Sequence, residues 1–348
     1  MQAARYYGIK DIRVEEIPIP KTPTGGALLK VHAAGLCGTD KRIYSHGHFH
    51  IQPGTPRILG HEVMAEIVAL DNRKPGFKVG DKVTLAPNFG CGECRECKKG
   101  YTQLCDNYDA FGISWDGGFA EYLVVPEIAI TQGNMIKVPE DFSDDEGVLI
   151  EIAACSYRGI SACTPQPGES VLIIGGGAVT FLMSGWARTF DVGQVIVSVI
   201  TDEWGDISKR GDPDLIINSR KVDLKSSLFN ATGGRGADVV IVACSAKEMD
   251  EAAPDLAAIQ GRVNYFGGLP VKDAQVCINS RAIHYREVTI TGTTGANVFW
   301  MNKTIDALRK RPFDIKQGIT HRYPLADIKK AFDEADLTPR LKSIIPFA

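Results

Sequence analysis

The sequence predicts an α/β protein of two unlike parts, a β-rich unit at the start of the chain and a doubly wound parallel-sheet domain after it. Three observations predict this. The chain has 348 residues, too many for one small core and enough for about two domains. Up to about residue 150, short β-branched runs alternate with Gly and Pro. From Ser170 onward, continuous apolar runs recur at spacings that leave room for a helix between each pair, as in strands covered on both faces.

In chain order, residues 28–33, 63–70 and 82–85 read as strands separated by polar turns, of which Gly80-Asp81 is one. Cys37-Gly38-Thr39-Asp40 follows one such strand and His61-Glu62 opens another, so both face one cleft. In the second part, Val171-Leu172-Ile173-Ile174 runs directly into Gly175-Gly176-Gly177 and a helix-compatible segment reaching about Phe190. Strands follow at 195–199, 215–217, 239–243 and 263–266, and the segment 288–292 reads as the last of them. A helical pattern covers 298–311, and Ser343-Ile344-Ile345 is strand-like and rejoins the first unit.

With 44% hydrophobic and 23% charged residues the chain reads as an ordinary globular protein. A net charge of −3 attracts neither nucleic acid nor an anionic membrane, so neither is an expected partner. The first residues lack a signal-peptide layout and no apolar run reaches bilayer length, which predicts a cytoplasmic protein. In that compartment nine cysteines read as metal ligands or core residues rather than a disulfide framework.

Two constellations carry chemistry. Cys37, His61 and Glu62 offer a thiolate, an imidazole and a carboxylate, the ligand types of an open catalytic zinc site. The plainer alternative makes Cys37 a buried hydrophobe and His61-Glu62 a surface pair. Cys91, Cys94, Cys97 and Cys105 form a C-x2-C-x2-C-x7-C cluster with almost nothing apolar between them. Such a cluster cannot be a core, but it can wrap one structural zinc. Iron–sulfur ligation uses the same four thiolates, and spacing alone does not separate the two. Cys155, Cys163, Cys244 and Cys277 sit in apolar or helical contexts and are expected to be inert buried thiols.

Taken together, these residues resemble the zinc-dependent medium-chain alcohol dehydrogenases, in the polyol branch that includes sorbitol, threonine and cyclitol dehydrogenases. Cys37-Gly-Thr-Asp40, Gly60-His61-Glu62, Val79-Gly80-Asp81-Lys82-Val83, the cysteine cluster, Asp116-Gly117-Gly118-Phe119-Ala120-Glu121-Tyr122 and His284-Tyr285-Arg286-Glu287 carry the resemblance in order and spacing. It implies a GroES-like β catalytic domain of residues 1–154 and 293–348, with a Rossmann domain of residues 155–292 inserted. It implies two zinc ions per chain, one catalytic and one structural. Cys37, His61 and Glu62 would hold the first, and Glu151 would approach it directly or through water; Glu151 otherwise reads as a helix-start carboxylate. Zinc acidifies a bound alcohol, whose hydride then passes to a nicotinamide. Thr39 matches the hydroxyl that relays the alcohol proton, a role compatible with capping the next helix. Where many relatives place a histidine to finish that relay, this chain has Arg42. His46, His48 and His50 lie on a loop that borders the substrate cleft in the family, and Trp115 is either a pocket wall or a packing residue.

The dinucleotide signature departs from its pattern. Gly175 and Gly177 supply the first two glycines of G-x-G-x-x-G, with Val179 in the same turn, but Thr180 holds the third place and its branched side chain would push the helix from the strand. Gly185 and Trp186 lower the propensity of that helix further. Val199 stands where an acidic residue should receive the ribose hydroxyls; Asp202 and Glu203 lie just beyond, and their charge favours NAD over NADP. Lys342 matches a family position at the pyrophosphate. The expected function is hydride transfer between a nicotinamide cofactor and a secondary alcohol of a polyol, cyclitol or aminocyclitol. The alternative is a metal-binding member with impaired cofactor binding, acting as a binding or scaffolding component. A zinc-free quinone reductase would lack the cysteine cluster. The resemblance also implies a homodimer or homotetramer paired through the last Rossmann strand.

Overall fold

The computed structural model describes residues 1–52, 54–71, 76–335 and 337–347. Strand Ala27–Leu36 is the axis of the first unit, and seven of its ten residues are aliphatic or Ala. Strand Glu62–Leu70 pairs antiparallel along one edge of it. Its other edge takes Tyr122–Val125 near the start and the C-terminal strand Lys342–Pro346 near the end. The chain terminus therefore closes the sheet that its beginning opened, with Ser343 opposite Leu36. Lys82–Leu85, Met135–Lys137 and Ile319–Arg322 complete this seven-stranded sheet, and Gln2–Gly8, Asp11–Glu16 and Arg57–Ile58 form a smaller sheet beside it.

The second sheet is six-stranded and all parallel, in the spatial order 215–218, 194–199, 170–174, 237–242, 257–265, 289–292. The central strand Ser170–Ile174 is buried throughout because helices cover both faces, which is why its sequence is an unbroken apolar run. Neighbouring strands leave it in opposite directions, so a crevice opens beyond its carboxyl end. The expected strands and the two expected long helices are present, the helices as Ala178–Arg188 and Val298–Leu308.

Thr180 does not displace its helix. It is buried, and the room comes from Gly175, where a Cβ would lie 3.1 Å from Thr180 Oγ1. Gly185 and Trp186 are likewise explained by packing. A Cβ on Gly185 would meet Phe313 at 2.8 Å, so the glycine lets that ring close on the helix. Trp186 is fully buried, stacks on Tyr157 at 4.4 Å and donates Nε1–H to the carbonyl of Ala153 at 3.1 Å. Ala153 lies in helix Ile150–Ser161, which packs between Ala178–Arg188 and Val298–Leu308. One hydrophobic cluster thus takes residues from both sheets, including Met64 and Ile344 from the first and Val171 and Ile173 from the second.

Trp186→Ala removes this wedge and leaves the Ala153 carbonyl without its donor. It is expected to lower unfolding free energy by about 3–5 kcal/mol, read as a lower denaturant midpoint.

Candidate active site

Cys37 caps helix Gly38–His46 in extended conformation, and its backbone N–H donates to Asp40 Oδ2 at 2.9 Å. Asp40 is completely buried. Its other oxygen accepts the Gly60 N–H at 3.2 Å and faces His61 Nδ1 at 3.6 Å. Gly60 has φ +92°, a left-handed turn that swings the chain into strand Glu62–Leu70. The segment Asp116-Gly117-Gly118-Phe119 clamps that turn: Gly118 N–H donates to Gly60 O at 2.7 Å and Phe119 N–H to Leu59 O at 3.0 Å. A Cβ on Gly117 would lie 2.1 Å from Gly60 O, which accounts for the glycine there.

Glu62 leads its strand opposite Gly35, and its carboxylate lies over that glycine, where a Cβ would come within 2.1 Å of Oε2. Glu62 Oε1 accepts from Lys342 Nζ at 2.7 Å, while among the described residues neither Glu62 Oε2 nor His61 Nδ1 has a hydrogen-bond partner. Ligand atoms of Cys37, His61 and Glu62 all lie within 4.8 Å of one another. A half-buried thiol beside a buried imidazole and a buried carboxylate, with Glu62 Oε2 unsatisfied among the described residues, is a donor set that fits zinc with one position open. Burial opposes the charge on His61, but Asp40 and Cys37 outweigh it and hold the imidazole pKa well above its ordinary value.

Glu151 stands in the first turn of helix Ile150–Ser161, buried at the cluster's side but outside the 4.8 Å set. Cys155, one helical turn on, donates its Sγ–H to Glu151 Oε1 at 3.2 Å. Burial pushes the Glu151 pKa up; His61 pulls it back and Glu62 adds to the rise. Burial beside Glu151 keeps the Cys155 thiol protonated far above the usual range. Cys155 is therefore a cleft residue rather than an inert core thiol, and Cys277 is exposed, not buried as expected. Cys163 is buried and Cys244 half-buried.

The second cluster gathers the sulfurs of Cys91, Cys94, Cys97 and Cys105 within 4.8 Å. A Cβ on Gly90 would lie 2.3 Å from Cys97 Sγ, so only glycine lets the lobe wrap this closely. Backbone N–H groups of Glu93 and Cys94 pull the Cys91 pKa down to about 7, while burial pushes Cys97 up to about 12.

A cavity of about 800 Å³ joins Cys37, His61 and Glu151 to the glycine turn at Gly177, Ala178 and Val179. Gly177 caps helix Ala178–Arg188 and has open space where a Cβ would point, a cradle that fits a pyrophosphate at a helix N-terminus. Gly176 is faced by Trp204, whose ring a Cβ there would meet at 2.9 Å.

Two expected cofactor residues are engaged elsewhere. Lys342 does not turn to the pyrophosphate: Nζ donates to Glu62 and to the Leu36 carbonyl at 3.3 Å, because a fully buried ammonium must be paired. Asp202 accepts from Asn218 Nδ2 at 2.7 Å and pairs with Lys221, so its carboxylate is tied to the next strand. Val199 ends its strand buried.

Thr39 lines the cavity, and Arg42 Nη2 approaches its hydroxyl oxygen at 3.4 Å. Of the three loop histidines His48 lines the cavity; its ring stacks near His50 at 5.5 Å, and burial lowers its pKa. Among the described residues they form no metal cluster. Trp115 packs against Phe89 at 6.0 Å in the β core and is not a cavity wall residue. Sequence reasoning overlooked Asp40 as the carboxylate behind His61; its place three residues after Cys37 was the available signal.

Lys342→Met leaves Glu62 charged and unpaired in the core. An unfolding titration is expected to show a loss of about 3–5 kcal/mol, part of it recovered when Glu62→Gln is added. Burial lowers the Lys342 pKa, but Glu62 and Cys37 outweigh it and raise the value. A raised lysine pKa means that its contribution is complete below the unfolded value near 10.4 and is lost as pH climbs through the native one.

The chain matches two family models: an alcohol dehydrogenase GroES-like domain over residues 23–139 and a zinc-binding dehydrogenase over residues 178–310. It is 32% identical over 323 residues to L-threonine 3-dehydrogenase of Pyrococcus horikoshii, covering 92% of this chain and 88% of that one. Among solved structures, a zinc-binding dehydrogenase of Sinorhizobium meliloti bound to NADP superposes with TM-score 0.91 at 26% identity, over 99% of both chains. An alcohol dehydrogenase of Escherichia coli complexed with NADH superposes with TM-score 0.90 at 26% identity, over 100% of this chain and 99% of that one.

Proposed function

Because this chain belongs to the zinc-dependent medium-chain alcohol dehydrogenases, in their polyol branch, we propose that it transfers hydride between a nicotinamide cofactor and a secondary alcohol of a polyol, cyclitol or aminocyclitol. One observation carries the reading: Cys37 and His61, grouped with the buried Glu62, line the same cavity as the Gly177 turn. The L-threonine 3-dehydrogenase relative supports the substrate class, since threonine carries a secondary hydroxyl beside an amine.

In this reading Cys37, His61 and Glu62 hold the catalytic zinc, with Glu151 as an exchangeable fourth participant parked on Cys155. Cys91, Cys94, Cys97 and Cys105 hold the structural zinc. Bound zinc supplies Lewis acidity toward the alcohol oxygen, and the nicotinamide supplies the hydride acceptor. The chain's own residues do the rest. Asp40 orients His61 from behind. Thr39 takes the alcohol proton; Arg42 donates toward the Thr39 oxygen but, being permanently protonated, cannot accept a proton, so onward transfer goes to water in the cleft. Gly175, Gly177 and Val179 receive the cofactor phosphates. Glu203, in the first turn of helix Asp202–Ser208 just past the second strand, disfavours a 2′-phosphate and makes NAD the preferred cofactor, while Lys221 offsets the charge of Asp202 beside it. Among the described residues strand Thr289–Gly292 is paired on one side only, and its free edge is where a second copy would join to form a dimer or tetramer. No described helix is long and apolar enough to cross a membrane, and a cytoplasmic location accords with this reading.

A screen of polyols, cyclitols and L-threonine with NAD and NADP, followed on reduced-nicotinamide absorbance, tests this. Oxidation of a secondary alcohol is expected, abolished by Cys37→Ser, with two zinc ions per chain by metal analysis. Failure of both dinucleotides to bind at millimolar concentration would sink it.

A further inference from the structure

Gln103 places an unpaired amide at the wall of the catalytic cavity. Its Nε2 and Oε1 are both buried and neither has a hydrogen-bond partner among the described residues, yet the residue lines the same space as Cys37 and His61. A primary amide offers two N–H donors and a two-lone-pair acceptor, and leaving all of them unused at a buried position costs folding free energy. Natural chains keep such groups where something outside the chain completes them.

The backbone around Gln103 gives the amide little freedom to leave. It is the middle residue of a single 3₁₀ turn, Thr102–Leu104. On one side Thr102 Oγ1 donates to the Asn88 carbonyl at 2.9 Å. On the other side comes Cys105, buried in the thiol cluster, whose sulfur accepts the Cys91 N–H at 3.4 Å. The same lobe brings Asn88 and Tyr108 to the cavity wall, while Phe111, Ile113 and Ile152 line it with apolar surface.

We propose that Gln103 is a specificity-determining residue: its amide pairs with a polar group adjacent to the reacting alcohol carbon. This rests on the dehydrogenase reading above. An amide that both donates and accepts is matched by a hydroxyl, which also does both, so the preferred neighbour is a vicinal hydroxyl. A substrate lacking that group leaves the amide unpaired and is rejected for that reason. The thiol lobe, remote from the reacting centre in sequence, thereby delivers the group that separates polyols from simple alcohols.

The test is binding, which needs no hydride transfer. Zinc-loaded wild type, Gln103→Leu and Gln103→Met are titrated with 2,3-butanediol and with 2-butanol, following fluorescence of Trp204, which lines the cavity. Wild type is expected to prefer the diol, and either variant that folds is expected to lose about tenfold or more in diol affinity, with 2-butanol affinity within about twofold. KM for the diol should rise in parallel. A wild type without diol preference overturns the proposal, as does an equal loss for both alcohols or no loss for either. Diol binding without nicotinamide reduction would overturn the proposed activity and leave this assignment standing.

Discussion

The ion pair between Glu62 and Lys342 is the contact on which the rest of the site depends. Both groups are out of water, so neither charge is tolerable alone. The pair spans the two ends of the chain, from the first residue of an early strand to the first residue of the last one, and the sheet register through Ser343 and Leu36 carries the lysine to the carboxylate. Lys342 thereby offsets the buried negative charge of Glu62 beside Cys37 and His61.

Around that pair, close approach is secured by missing side chains. Gly35 makes room for the Glu62 carboxylate, Gly60 turns the strand, and Gly117 lets the clamp reach the Gly60 carbonyl. The same device operates in the parallel sheet, where Gly175 accommodates Thr180. A glycine fingerprint interrupted by a β-branched residue is therefore no defect in the helix-to-sheet contact; the space is supplied from the other side. Recognition at the ribose end differs more. Position 199 carries no carboxylate, and Asp202 is held by Asn218 and Lys221.

The thiol lobe has two consequences. It is a closed four-sulfur cluster at the surface, and through the turn that precedes Cys105 it also shapes the catalytic cavity. Structure and specificity are thus connected over a few residues: the same backbone that carries Cys105 carries Gln103.

Much was legible in the sequence. Alternating apolar strands and helix-length gaps reveal a parallel sheet because strands buried on both faces have no polar side to show, and four cysteines within fifteen residues reveal a compact thiol lobe because nothing else around them can form a core. The grouping of Cys37, His61 and Glu62 was also readable, being short-range in sequence and distinctive in chemistry. What only the tertiary structure decided are pairings between distant positions: Lys342 with Glu62 across 280 residues, Cys155 against Glu151, Asp202 tied down by Lys221, and Gln103, unpartnered among the described residues, in the wall of the cavity that Cys37 and His61 also line. Local sequence carries periodicity and ligand type, but a side chain's partner is set by which strands become neighbours, and that is a property of the whole fold.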